Sequence, residues 1–380
     1  MDLRLTLEQV QLRDATRRVL AERLASLVEQ LPEPPVHDLP QAVRDGQALG
    51  WLGLGLPEEL GGAGGFSEVA LVHEELGRGL APSLVSTLAV AGRLLLHLPP
   101  DPVRDHLLAQ LSAGSALLCP ALGDAFVMTT DTAGATRLDG LQRHVVDAAA
   151  ASQLVVPART EDGGPLHLFL VSPRAPGVVV DEQRGTSDIP HCTVTLTGVS
   201  VPAEALLTSD AAGALRAVRT EATVLAAARA VGGGRAVLDR TVEHVRTRHQ
   251  FDRPIGTFQA VQHQLADVAT ALDAAGLAVA RATWAVESGQ DSGELEAATA
   301  IAGLTARDAF ANATLVAHQL HGGMGFVLDS PLHLWSARAI ADPTAPGSRR
   351  QLLDLLGAAL GLSAQGLRTP ADHRRVGVVP

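Results

Sequence analysis

Twice along this chain the spacing of apolar residues changes period, and those two changes restrict the fold more than any single motif does. Leu12, Ala15, Val19, Leu20, Leu24 and Leu27 recur at three- and four-residue steps, the repeat that gives an α-helix one buried stripe. Thr6 followed by Gln9 is a capping-box start for that helix, and Pro32, Pro34 and Pro35 are expected to stop it. Further helical patterns over 39–49, 67–79 and 84–98 make residues 1–113 an N-terminal α-helical domain. From Leu117 the pattern shortens to β-rich runs at 126–130, 144–146, 154–158, 166–171, 177–180 and 193–201. Asp162-Gly163-Gly164-Pro165 separates two of them as a hairpin turn would. Residues 114–213 are therefore expected to form a central β-sandwich or barrel domain. Beyond Pro202 the strand signal ends, and Ala-rich amphipathic stretches broken near 252–255, 288–292, 322–331 and 341–347 predict a C-terminal four-helix bundle over 214–380 that carries the oligomer interface. The fold class is α+β and multidomain.

Composition narrows the chemistry. The chain has 380 residues, 46% of them hydrophobic, enough for a large core divided between domains. Its formal charge of −11 argues against general nucleic-acid affinity, which needs a basic face. All 30 basic residues are Arg, so neither a pyridoxal-phosphate Schiff base nor a P-loop lysine is available. No run of about eighteen apolar residues occurs, and the polar helical start differs from a signal peptide, so a soluble, cytoplasmic protein without membrane insertion is expected. Cys119 and Cys192 are too few for a disulfide framework or a four-thiolate metal site and read as reduced, structural thiols.

Most motif-like segments have plainer readings. Gly232-Gly233-Gly234 lacks the preceding strand and the spacing of a dinucleotide turn; it is either a helix break or a place where small residues let helices pack closely. His318 and His321 have metal-ligand spacing, but no nearby Asp, Glu or Cys completes a set, so capping or surface roles and no metal are expected. No Gly-x-Ser-x-Gly elbow supports hydrolysis. Two segments stand apart. In the first, running from Arg248 through Phe251, Pro254, Gln259 and Gln262 to Asp267, a helix ends in Arg, a Pro turn follows, and amide side chains open the next helix. That arrangement suits either a grip on a pyrophosphate or an ordinary helical hairpin. The second is Gln319-Leu320-His321-Gly322-Gly323-Met324-Gly325-Phe326, where more glycines follow a helix than a C-cap needs.

Those two segments, with the stretch from Leu49-Gly50-Trp51 to Gly61-Gly62-Ala63-Gly64 and His73-Glu74-Glu75-Leu76-Gly77-Arg78, resemble the acyl-CoA dehydrogenases over nearly the whole chain. The resemblance implies FAD bound between the β domain and the final helices. It also implies a Glu that takes the α-proton of an acyl-CoA thioester while hydride passes from the β-carbon to the flavin. Counterparts of Arg248, Phe251, Gln259, Gln319, Gly322 and Gly323 reach in the family across a subunit interface to the neighbour's FAD, and all six are present. The half of the site that holds the chain's own flavin ring differs. A Thr-Glu-Pro-x-Ala-Gly-Ser-Asp loop and a Trp/Phe-Ile-Thr/Ser strand are replaced by Leu118-Cys119-Pro120-Ala121-Leu122-Gly123-Asp124-Ala125 and His144-Val145-Val146-Asp147, without their hydroxyls. Pro346 stands where most members carry the catalytic Glu, Ala222 where others carry it, and Thr223 at a CoA-contacting Arg. Glu221 is the adjacent carboxylate, turned about 100° around its helix.

The resemblance thus implies the Glu-lacking subunit of a heterotetramer, as in actinobacterial enzymes of steroid side-chain or fatty acyl-CoA catabolism. FAD would be shared with a homologous subunit that keeps its Glu, acyl-CoA would be the substrate, and an electron-transfer flavoprotein the acceptor. Two alternatives stand beside it. One is the same fold turned to other chemistry, as a flavin monooxygenase or a cofactor-free cyclase or dehydratase of secondary metabolism; the other is an active homotetramer using Glu221 as base.

Overall fold

The computed structural model describes residues 4–31, 38–130, 135–183, 185–341 and 347–362. Helix α1 (Leu7–Glu29) begins with the capping box read from the sequence: the Thr6 hydroxyl accepts from the Gln9 amide while the Gln9 side chain accepts from the Thr6 amide. The prolines expected to stop it lie outside the described residues. Helix α2 (Leu39–Ala48) is capped by Asp38, and two short 3₁₀ turns lead to α3 (Phe66–Arg78), α4 (Ser83–Leu96) and α5 (Pro102–Ser112).

Eight strands follow: β1 (Leu118–Pro120), β2 (Phe126–Thr130), β3 (Thr136–Val146), β4 (Gln153–Arg159), β5 (His167–Val171), β6 (Val178–Gln183), β7 (His191–Val201) and β8 (Leu206–Thr208). They form one mixed sheet in the order β6-β7-β3-β2-β4-β5-β8, with β1 also paired to β4; β1 and β2 run parallel to β4 and the remaining pairs are antiparallel. The 162–165 turn joins the antiparallel pair β4 and β5, with Gly163 at φ +82°. Between β3 and β7 the register slips twice, the second time between Gln142 and Val145, and His144 at the slip takes φ +59°. Such a bulge re-aims the side chains of the strand end, here 144–146.

The C-terminal region holds α6 (Ala212–Thr247), a two-residue ribbon of β9 (His249–Gln250) and β10 (Arg253–Pro254), then α7 (Gln259–Glu287), α8 (Ser292–His321), α9 (Leu332–Ala341) and α10 (Arg349–Ala359). Helix α6 runs unbroken through Gly232-Gly233-Gly234, which resolves the two sequence readings in favour of packing. A Cβ at Gly232 would collide with the Glu74 carbonyl oxygen of α3, and one at Gly233 would sit 2.6 Å from the Phe310 ring of α8. Glycine here brings α3 and α8 against α6 at near-backbone distance. The core between these helices is built from Phe66, Val69, Val224, Val231, Leu272, Phe310 and Trp335. A second apolar cluster joins α4 and α5 to β1, β4 and the start of α6, through Leu88, Leu95, Leu108, Leu118, Val155 and Leu215. No described helix is long and apolar enough to cross a membrane. Both cysteines are buried and free, and the Cys119 thiol donates to the Val146 carbonyl at 3.1 Å.

Candidate functional site

Where α3, α4, the β1 loop, the end of β3 and α6 converge, they line a half-open cavity of about 360 Å³. Positions 222, 225, 226 and 229 face it from α6, one stripe of a 3.6-residue repeat, and 83, 86, 87 and 90 face it from α4. Pro120, Leu122 and Gly123 close one side, 142–146 of β3 another, and Gly347 and Gln351 the end nearest α10. Among the described residues no Asp or Glu lines this space, and its hydroxyls all come from α4.

Ala222 faces the cavity and Glu221 does not. The Glu221 carboxylate is held by Arg93 through Nε and Nη2, each at 2.7 Å, and by His97 Nε2 at 3.0 Å. Burial alone would raise its pKa, but the hydrogen bonds and charges of Arg93 and His97 outweigh burial and hold it below the ordinary glutamate value. The sequence offered Glu221 as a relocated base; in the structure it is an ion-pair anchor between α4 and α6, because the one-residue step turns it away from the cavity. Pro346 lies outside the described residues, next in sequence to the lining residue Gly347.

Behind the cavity wall sits a network that the sequence did not reveal. Asp147, buried and at φ +60°, accepts from Ser83 Oγ at 2.8 Å and Thr87 Oγ1 at 2.6 Å. Burial pushes its carboxyl up, more than those hydrogen bonds and the charges of Arg229 and Arg338 pull it down. Buried Arg229 donates to Ser86 Oγ at 2.6 Å, and buried Arg338 clamps Asp188 with two bonds while donating to the Leu80 and Ala81 carbonyls. The available signals were faint: an Asp closing an apolar strand, hydroxyls four apart at 83 and 87, and an Arg inside each of two Ala-rich helices.

The six residues expected to serve a neighbouring subunit lie at one end of the C-terminal helices. Arg248 caps α6, and its carbonyl accepts from Ile255 as the chain turns back toward α7. Gln259 opens α7, while Gln319, Gly322 and Gly323 end α8, whose His321 ring stacks on His244 of α6 at 4.1 Å. All six are exposed, Phe251 at 85% with φ +54°. Phe326 and Met324 are exposed beside them, an apolar rim around a guanidinium, two amides and a glycine pair at which an added Cβ would meet nothing. Such a donor set suits a diphosphate approached from outside the chain. The cavity side suits a flavin ring poorly. Ser83 and Thr87 spend their protons on Asp147, and the Leu122 and Gly123 carbonyls are taken by Arg219 at 2.8 and 2.6 Å. His318, bonded to Ser336, and His321, stacked on His244, belong to no metal-binding group, and none with three such side chains occurs among the described residues.

Residues 6–115 match the family described as acyl-CoA dehydrogenase, N-terminal domain, and residues 216–361 match acyl-CoA dehydrogenase, C-terminal domain. The chain belongs to the acyl-CoA dehydrogenase family. Benzylmalonyl-CoA dehydrogenase of Aromatoleum aromaticum is 33% identical over 311 residues, covering 75% of this chain and 80% of that protein. Acyl-CoA dehydrogenase IpdE2 of Mycobacterium tuberculosis is 31% identical over 355 residues, covering 89% of this chain and 95% of the relative. In three dimensions the acyl-CoA dehydrogenase fold is shared with the ChsE4-ChsE5 complex of Mycobacterium tuberculosis, at TM-score 0.85 and 26% identity, covering 96% of this chain and 100% of the other.

Proposed function

We propose that this chain is the base-lacking subunit of a heteromeric acyl-CoA dehydrogenase. Its partner is a homologous subunit that keeps the catalytic Glu, and the two together desaturate an acyl-CoA of fatty or steroid side-chain origin. The observation that carries the reading is the mismatch between the two halves of the chain. No described carboxylate faces its own cavity, while Arg248, Phe251, Gln259, Gln319, Gly322 and Gly323 stand exposed together where a second subunit would bring its cofactor. That a structural relative is a complex of two differently named proteins supports the same arrangement.

In this reading Arg248 would hold the diphosphate of FAD bound mainly by the partner, Gln259 and Gln319 would donate amide hydrogens, and Gly322 and Gly323 would let the backbone come close. FAD, when bound, would supply the hydride acceptor, and an electron-transfer flavoprotein would take the electrons onward. The partner's Glu takes the α-proton, which this chain's Ala222 cannot do. The active homotetramer with Glu221 as base finds no support in the geometry, since that carboxylate is committed to Arg93 and His97.

Co-expression with a homologue that retains its Glu tests the proposal. A stable complex should form, and Arg248→Ala in this chain should weaken flavin retention in it by roughly 10- to 100-fold, the worth of a charge-assisted contact of about 1.5–3 kcal/mol. A complex whose flavin content and acyl-CoA turnover ignore that substitution would refute the assignment.

A further inference from the structure

The loop of residues 121–125 between β1 and β2 forms one side of the cavity, and side chains from distant parts of the sequence hold it there. Its first residue is tied to the sheet, the Ala121 amide donating to the Val155 carbonyl at 2.9 Å, and Phe126 beyond it enters β2. Across the middle, three successive carbonyls accept from side chains. Arg219 Nε donates to Leu122 at 2.8 Å and Arg219 Nη2 to Gly123 at 2.6 Å, while Gln142 Nε2 donates to Asp124. Arg219 stands three residues before Ala222, so it continues the cavity stripe of α6 by one turn and reaches across to the loop. Its planar fork suits two neighbouring carbonyls at once.

The closed arrangement carries costs of its own. Gln142 is 3% exposed, and its Oε1 is buried without a hydrogen-bond partner among the described residues. The loop is what covers that oxygen: a Cβ on Gly123 would lie 3.1 Å from it. The Asp124 charge draws the Arg219 guanidinium toward the loop, and the Arg159 charge opposes it. Lifting the loop exchanges the Arg219 contacts for water, which Arg219, as an exposed residue, already meets, and it opens Gln142 Oε1 to a donor. Leu122 and Gly123 line the cavity, so the same movement widens its mouth.

We propose that loop 121–125 is a strap across the cavity, pinned by Arg219, and that release of the pin sets how fast a ligand enters and leaves. The inference concerns access alone; it stands apart from the heteromeric assignment and from the identity of the ligand.

Stopped-flow fluorescence of the full chain with the neutral naphthalene dye prodan as probe tests this. Ala226→Phe, which fills the space, should remove the signal of dye bound in the cavity. Arg219→Ala should raise the association and dissociation rate constants together, each about tenfold for the loss of charge-assisted contacts, and leave the dissociation constant nearly unchanged. Arg219→Lys, which keeps the charge and loses the fork, should fall between. A second readout needs no variant. Gly123-Asp124 is the only Gly-Asp pair in the chain, so ¹³C-carbonyl glycine combined with ¹⁵N-aspartate gives a single signal, from this loop. In the wild-type protein that signal should show relaxation dispersion from exchange on the microsecond-to-millisecond scale. Unchanged rate constants in Arg219→Ala, a change confined to dissociation, a dye signal that is absent or survives Ala226→Phe, or a wild-type loop signal without dispersion would overturn the inference.

Discussion

Replacing Glu221 distinguishes a structural carboxylate from a catalytic one. Its side chain is 4% exposed and that of Arg93 15%, so the pair is largely shielded from solvent screening. Glu221→Ala removes three acceptor contacts at once and leaves the Arg93 guanidinium with the Gly55 carbonyl at 3.2 Å and the face of Phe66 at 5.3 Å. Breaking a buried pair from one side costs about 3–5 kcal/mol, most of it the stranded charge. Glu221→Gln keeps the shape and one acceptor oxygen, and should cost less, about 1.5–3 kcal/mol. Urea unfolding followed by circular dichroism reads both as shifts in midpoint. The pH dependence supplies a second check. Because the folded carboxyl sits below its ordinary value of 4.5, its contribution is full above that pH and is lost as pH falls through the folded pKa. Wild-type stability should therefore drop more steeply than that of Glu221→Gln under acid conditions. An unchanged midpoint in Glu221→Gln, joined to loss of acyl-CoA-dependent acceptor reduction by the lone chain, would refute this reasoning and make Glu221 the base.

Three further outcomes are expected. Gly232→Ala should destabilise by about 1–3 kcal/mol or more in thermal unfolding, because its methyl meets the Glu74 carbonyl oxygen of α3 and the helices must part. Asp147→Asn should abolish a pH dependence of the opposite sign to that of Glu221. The folded Asp147 carboxyl is raised above 3.8, so its contribution is full below that pH and is lost as pH rises through the folded value, which melting curves across the acid range will show. Both thiols should resist a disulfide reagent in the folded protein and react after denaturation, since burial raises Cys119 and Cys192 and closes them off.

How far the sequence could be read depended on how local each determinant is. Periodicity is local, so the helical, strand and helical order and five of the expected strand cores coincide with observed strands. Residues 144–146 proved to be only the end of β3, because the bulge before Val145 and the polar Arg137, Asp139 and Gln142 hide the alternation along that strand. The role of Gly232 depends on α3, distant in sequence, and composition alone could not choose between break and packing. The orientation of Glu221 follows from helical geometry, but its partners Arg93 on α4 and His97 at the C-cap of that helix lie beyond any local signal.

In the proposed heteromer this chain completes a neighbour's flavin site and lacks a working one of its own. The most direct measurement is the flavin content of the chain purified alone, set against that of its complex with a Glu-bearing homologue, by visible absorbance and released FAD. The expected result is a nearly colourless lone chain and a complex carrying one FAD for each pair of unlike subunits. A lone chain that is stoichiometrically yellow and reduces an electron acceptor with acyl-CoA would contradict it.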